Sequence, residues 1–262
     1  MSTSENEVKL KRKDLKGSRL RCLMLTSLSR KQIARCLTDL IQPYGVVDGE
    51  TDRWMPQGFL DSGEAKLGET ELFLKAKDRD TVTDWWLDVR PGANTPNWDL
   101  VATYRIEGRN GLVLIEGKAH KNELASAGKT DPGTDNGWKN HAQIGMAIDE
   151  ANASLNAQHS GWTLSRDSHY QLCNRFAWSW KLASMGIPVI LVYLGFLYAD
   201  EMPHPFSTVG AWSEAVHAHS NMVVPDDIWE SRISIDNTPL YPIIRSLDLQ
   251  WAVSGGSAGG GT

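Results

Sequence analysis

Hydrophobic positions recur at helical spacing in some stretches of this chain and alternate along others, and the switches between the two outline its elements. Ile33, Leu37, Leu40 and Ile41 follow Ser29, a good capping residue, and Gly45 suits the far end, so 29–44 is predicted as a helix. Ala65, Leu72 and Ala76 share a helical face, which predicts a second helix from Asp61-Ser62 towards Lys77 with Glu69 on its inward side. Val82, Trp85, Trp86, Leu87 and Val89 favour a strand over 81–89, broken by Pro91-Gly92-Ala93-Asn94. Leu100, Ala102, Tyr104 and Ile106 alternate in a strand over 98–106. Gly108-Arg109-Asn110-Gly111 carries a strong Asn-Gly turn signal and 112–119 is a third strand, so the last two pair as a hairpin.

A polar loop over 122–136 then leads to helices expected over 138–155 and 168–185. The second has Leu172, Phe176, Trp180 and Ala183 on its apolar face and Gly186 at its end. The nearly all-apolar 187–196 reads as a strand buried on both faces. Residues 200–253, rich in Pro and Trp, are expected to be irregular with short helices. The simplest architecture is one α/β domain over 29–253, a mixed β-sheet flanked by helices. A basic, partly disordered arm at 1–28 precedes it and a flexible Gly-rich tail at 254–262 follows.

Composition narrows the function classes. The 262 residues suffice for a sizeable core, and 41% hydrophobic with 23% charged residues is ordinary for a globular protein. A net charge of −5 does not advertise a nucleic-acid partner, although Lys9, Lys11, Arg12, Lys13, Lys16, Arg19 and Arg21 concentrate positive charge near one end. Cys22, Cys36 and Cys173 have neither metal-site nor disulfide spacing, which fits a reducing, cytoplasmic setting. The start is polar and acidic, unlike a signal peptide, and the most apolar stretch, 186–198, is too short to span a bilayer.

The candidate chemistry lies on the hairpin. Glu116 and Lys118 alternate onto one face of their strand, while Ile115 and Gly117 point to the other. Asp99 begins the partner strand and is expected across from Glu116, with a bulge near 96–99 because the two are unevenly spaced about a turn centred at 109–110. Two carboxylates suffice for Mg²⁺, which keeps several waters, and the Gly117 carbonyl can add a ligand. Lys118 can orient or deprotonate an attacking water or stabilise negative charge. Glu69 can add a ligand or hold a metal-bound water, and Gln171 and Arg175, one helical turn apart, can bind phosphate or orient the lysine. His217 and His219 lack further ligands nearby and are not expected to bind metal.

The order helix, three strands, helix, strand, with Pro96, Asp99 and Glu116-Gly117-Lys118, resembles the PD-(D/E)xK nuclease superfamily over roughly residues 62–196. The resemblance implies a restriction-endonuclease-like core with a helical insertion at about 120–167. It implies a Mg²⁺-dependent phosphodiesterase, with Mn²⁺ as substitute, acting on DNA and less often on RNA. The helix glutamate of that family corresponds to Glu69, or second to Glu64, and its helix glutamine to Gln171. Here Asn97 and Trp98 separate the proline from the aspartate. A homodimer is one expected assembly. Two other readings stand beside this one: an inactive scaffold of the same fold that recruits nucleic acid or protein, and a hydrolase of small phosphoesters.

Overall fold

The structure is a computed structural model that describes residues 15–249. A mixed sheet of six strands lies between two layers of helices. Its strands are β1 (Trp54–Met55), β4 (Leu100–Ile106), β5 (Arg109–Lys118), β6 (Val189–Leu197), β8 (Thr238–Asp248) and β7 (Ile233–Ile235), in that spatial order. β4 and β5 are antiparallel, β5, β6 and β8 run parallel, and β7 closes one edge antiparallel to β8. A two-stranded ribbon of β2 (Ala65–Lys66) and β3 (Asn97–Trp98) lies beside the main sheet.

Alternation along the strands decides which layer each side chain meets. Leu100, Ala102, Tyr104, Val113 and Ile115 pack with residues of α1 (Gly17–Thr26) and α2 (Arg30–Ile41). Val101, Leu112 and Leu114 face α3 (Ala76–Trp86), α4 (Asp135–Gln158), α5 (Tyr170–Ser184) and α6 (Val209–Ser220). Ser29 and Gln32 form the capping box that starts α2. All nine residues of β6 are buried, as a central parallel strand requires.

Several expectations change. The basic arm at 1–28 is helical from Gly17, because Leu20, Cys22, Leu23 and Leu25 are apolar and Arg21 reaches Glu201 at 3.0 Å; residues 1–14 lie outside the described residues, as does the tail at 254–262. No helix spans 61–77. Ala65 and Leu67 are both buried, a strand-like alternation, and Gly68 lies so close to Thr83 and Thr95 that a Cβ there would sit 2.5 Å from the Thr83 hydroxyl.

The strand expected over 81–89 is the end of α3: Val82, Trp85 and Trp86 also fit helical spacing, and their β-propensity gives way to packing on Trp178. Residues 200–249 are not irregular, since they supply α6 and two strands of the sheet, and 250–253 lie outside the described residues. Pro239 and Pro242 hid β8, but both are accommodated there, beside Ser234 and Leu191.

The hairpin turn is Glu107-Gly108, both at positive φ (49° and 75°), with Ile106 opposite Arg109. Gly111 serves a different need: a Cβ there would lie 2.4 Å from the Tyr104 ring. Among the described residues no helix is long and apolar enough to cross a membrane.

Candidate active site

The two-residue turn sets the register of the site. Leu100 pairs with Ile115, so the next step along the ladder sets Asp99 against Glu116. Asp99 lies eight residues before Glu107 and Glu116 eight after Gly108, so the predicted imbalance about the turn disappears. Asp99 occupies the bend where the chain leaves β3 for β4. The Gly117 N–H donates to Asp99 Oδ2 at 2.8 Å and fixes the carboxylate at the end of β5.

Glu116 and Lys118 project together, as alternation requires, and both are buried, with side chains 1% and 6% exposed. Lys118 Nζ donates to Glu116 Oε1 and, at 2.9 Å, to Gln171 Oε1. Arg175 Nε donates to Glu116 Oε2 at 2.6 Å, and its Nη2 donates to the Asn97 carbonyl at 2.7 Å. The Arg175 guanidinium also stacks 4.4 Å above the Trp98 ring. Helix α5 thus delivers Gln171 and Arg175 from one face to the lysine and the glutamate.

The electrostatics separate the two carboxylates. Burial opposes the charge on Glu116, but Arg175 and Lys118 more than offset it and hold its pKa below the ordinary glutamate value. Asp99 is pushed up to about 7, first by burial and then by the negative charge of Glu116, against the pull of Lys118, Arg175 and the Gly117 N–H. Beneath them the Cys22 thiol is raised well above its usual value by burial, then by Asp99, with Glu116 and Glu64 acting in the same direction. All three carboxylates are therefore within electrostatic reach of one buried sulfur.

Of the two candidate glutamates, Glu64 is the one placed at Asp99's level. The antiparallel pairing of Ala65 with Trp98 puts Glu64 at Asp99's level, one ladder step beyond that pair, and Asn97 Nδ2 donates to Glu64 Oε2 at 2.8 Å. Glu69 sits in a turn, 47% exposed and paired with Lys66 at 3.2 Å, so it is not on an inward helix face. Trp98, Asn97 and Tyr193 also frame the centre and carried no motif to announce them. Tyr193 lies beside Glu116 in the parallel ladder, its buried hydroxyl without a hydrogen-bond partner among the described residues. His219, stacked near His169 at 5.1 Å, is pushed down to about 4 by burial, with His169 and Lys118 acting in the same direction.

Among the described residues no group of three or more His, Cys, Asp and Glu side chains is placed to hold one metal ion. A hard cation that keeps its waters asks for less, and the residues present suit one. Asp99 and Glu116 are oxygen donors that repel each other, and they are the residues that would hold a divalent ion, whose charge would offset that repulsion. No family model, no curated protein and no solved structure matches this chain.

Proposed function

We propose that the chain is a Mg²⁺-dependent nuclease of the PD-(D/E)xK type with a restriction-endonuclease-like core, hydrolysing phosphodiester bonds of nucleic acid, DNA in the first instance. The observation that carries the reading is the convergence of Asp99, Glu116 and Lys118 at the start of β4 and the end of β5, with Gln171 and Arg175 reaching Lys118 and Glu116 from α5. Along the chain α3, β3, β4, β5, α4, α5 and β6 follow one another, so the hairpin, a later helix and a parallel strand of the expected order are present, while the expected first helix and first strand are replaced by turns and α3.

Asp99 and Glu116 would hold the ion, with the Gly117 carbonyl as a further ligand. When bound, Mg²⁺ supplies charge neutralisation at the phosphoryl oxygens and a more acidic water. The chain's own groups do the rest. Arg175 keeps Glu116 ionised and in place, and the Gly117 N–H does the same for the position of Asp99. Lys118 has three N–H donors, and Glu116 and Gln171 take two. The third is free to hold the attacking water or a phosphoryl oxygen. In the reaction the water oxygen bonds to phosphorus, the bond to the leaving sugar oxygen breaks, and that oxygen takes up a proton.

Cleavage of labelled single- and double-stranded DNA and RNA in Mg²⁺ or Mn²⁺ tests this. Lys118→Ala should lower the rate by about 10²–10⁴-fold, the range for a positioned acid–base or electrostatic group, with an unchanged circular-dichroism spectrum. Wild-type protein that cuts none of these polymers in either metal ends the hydrolytic reading. The second reading, a non-catalytic scaffold, has one observation in its favour: both Glu116 oxygens are already matched by cations, as in a purely structural ion-pair centre.

A further inference from the structure

A cavity of about 410 Å³ opens beside this centre, between the loop before β3 and the N-terminal turns of α5. Gln171 and Arg175 line it and also contact Lys118 and Glu116, so the cavity adjoins the centre. Its chemistry is one-sided. The described lining residues include Lys129 and Arg175 but no acidic side chain, in a protein whose net charge is −5.

The unspent groups are donors. Gln171 gives its oxygen to Lys118, Asn174 gives its oxygen to Arg175 at 3.0 Å, and Asn94 gives its oxygen to Lys66 at 2.9 Å. Among the described residues none of the three amide nitrogens donates to an acceptor of the chain, which leaves three NH₂ groups to donate outward. Lys129 Nζ lies 4.9 Å above the Tyr170 ring and has no carboxylate partner among the described residues. Helix α5 adds to this, since it starts at Tyr170 with no acidic residue in its first turn and no side-chain cap.

Lys129 is held on purpose-built backbone. It lies on the long connection between β5 and α4, and its N–H bonds the Arg166 carbonyl at 2.9 Å. The preceding Gly128 is pressed so closely on Asp167 that a Cβ would meet its carbonyl oxygen at 2.4 Å. The 120–167 insertion, whose role the sequence left open, therefore presents a cation to the edge of the site.

We propose that this cavity is a phosphate-binding subsite that holds a second phosphate of the nucleic-acid substrate, beside the one being cleaved, through Lys129, Arg175 and the amide donors of Asn94, Asn174 and Gln171. The proposal rests on the phosphodiesterase reading of the neighbouring carboxylates. A terminal phosphomonoester and an internal phosphodiester present the same acceptor oxygens, and substrate ends distinguish them.

The test uses the full chain and fluorescein-labelled single strands bearing a 5′-phosphate, a 3′-phosphate or neither. Equilibrium binding is read in EDTA by anisotropy, and turnover is read separately in Mg²⁺. Lys129→Gln should weaken binding about tenfold and reduce the slope of log K against log salt by about one. Asn94→Asp, an isosteric change that puts a carboxylate into the cavity, should weaken it as much or more. Lys129→Arg should restore most of the loss. In turnover the loss should fall on KM, with kcat little changed.

An effect seen only with one phosphorylated end assigns the subsite to a terminal phosphate, and one seen with all three strands assigns it to an internal phosphate. If both variants bind and cleave as wild type, the subsite is wrong while the hydrolytic reading stands. If wild type cleaves nothing but its binding still depends on Lys129, the subsite stands and the hydrolytic reading falls.

Discussion

Arg90 and Arg175 make the same kind of contact in opposite surroundings. Arg90 bridges Asp80 and Asp84 at 2.9 and 2.6 Å on a surface where the three side chains are 44–67% exposed. Arg175 meets Glu116 at 2.6 Å with side chains 6% and 1% exposed. The distances hardly differ, but the alternatives do. Water replaces either partner of the first pair at little cost, whereas nothing replaces Arg175 beside a buried carboxylate. The pair geometry is alike in the two; burial and the converging network set the second apart.

Removing each arginine sharpens that contrast most. Arg175→Met should cost about 3–5 kcal/mol in urea unfolding, the usual penalty for stranding one partner of a buried pair, through Glu116 and the lost stack on Trp98. Arg90→Met should leave the unfolding midpoint within experimental scatter. Equal shifts for the two would erase the distinction.

The pH dependence of Asp99 probes the same burial. Its folded pKa of about 7 exceeds the unfolded value near 4, so between these values the folded state binds more protons. Its contribution to stability is full below about pH 4 and is lost as pH rises through 7. His219, held down to about 4, acts oppositely and adds stability between about pH 4 and 6.5. The Asp99→Asn variant keeps the histidine effect and loses the aspartate one. The stability gap between variant and wild type, from urea midpoints at a series of pH values, should therefore move in the variant's favour from pH 4 to 7 and level off above. A gap that stays constant would show that Asp99 is not perturbed by the buried centre.

The two candidate glutamates give the smallest effect. Glu64→Gln should lower cleavage about 10–100-fold, as loss of an outer group around a metal site does, and Glu69→Gln should leave it unchanged. The reverse result would restore the original placing of Glu69.

How much of this was legible in the sequence depended on where periodicity and chemistry agreed. The alternation of Leu112, Leu114, Glu116 and Lys118 placed the acid and the lysine together, and the apolar face through Leu172, Phe176 and Trp180 placed α5. Asp99 was found across the hairpin even though the turn was put too late. Asn110-Gly111 drew the turn signal, while Glu107-Gly108 makes the bend and Gly111 gives room to Tyr104.

The region 61–89 was misread: the expected helix is turns with the two-residue β2, and the expected strand is largely the end of α3. A few apolar residues fit both periods there, and the deciding contacts come from distant parts of the chain, such as Trp178. The same holds for β8, where two prolines outweighed a strand that only its neighbours β6 and β7 reveal. The burial of Arg175 was equally invisible, because it depends on Trp98 lying beneath the guanidinium.

The central claim is that Asp99 and Glu116 together form one divalent-cation site. Calorimetric titration of Mn²⁺ into wild type, Asp99→Asn and Glu116→Gln tests it most directly, with folding of each variant checked by circular dichroism. The account predicts one site in wild type, tighter as pH rises through 7 because ligand protons must leave, and its loss in both folded variants. Mn²⁺ binding that survives in either variant, or no binding by wild type, would contradict it.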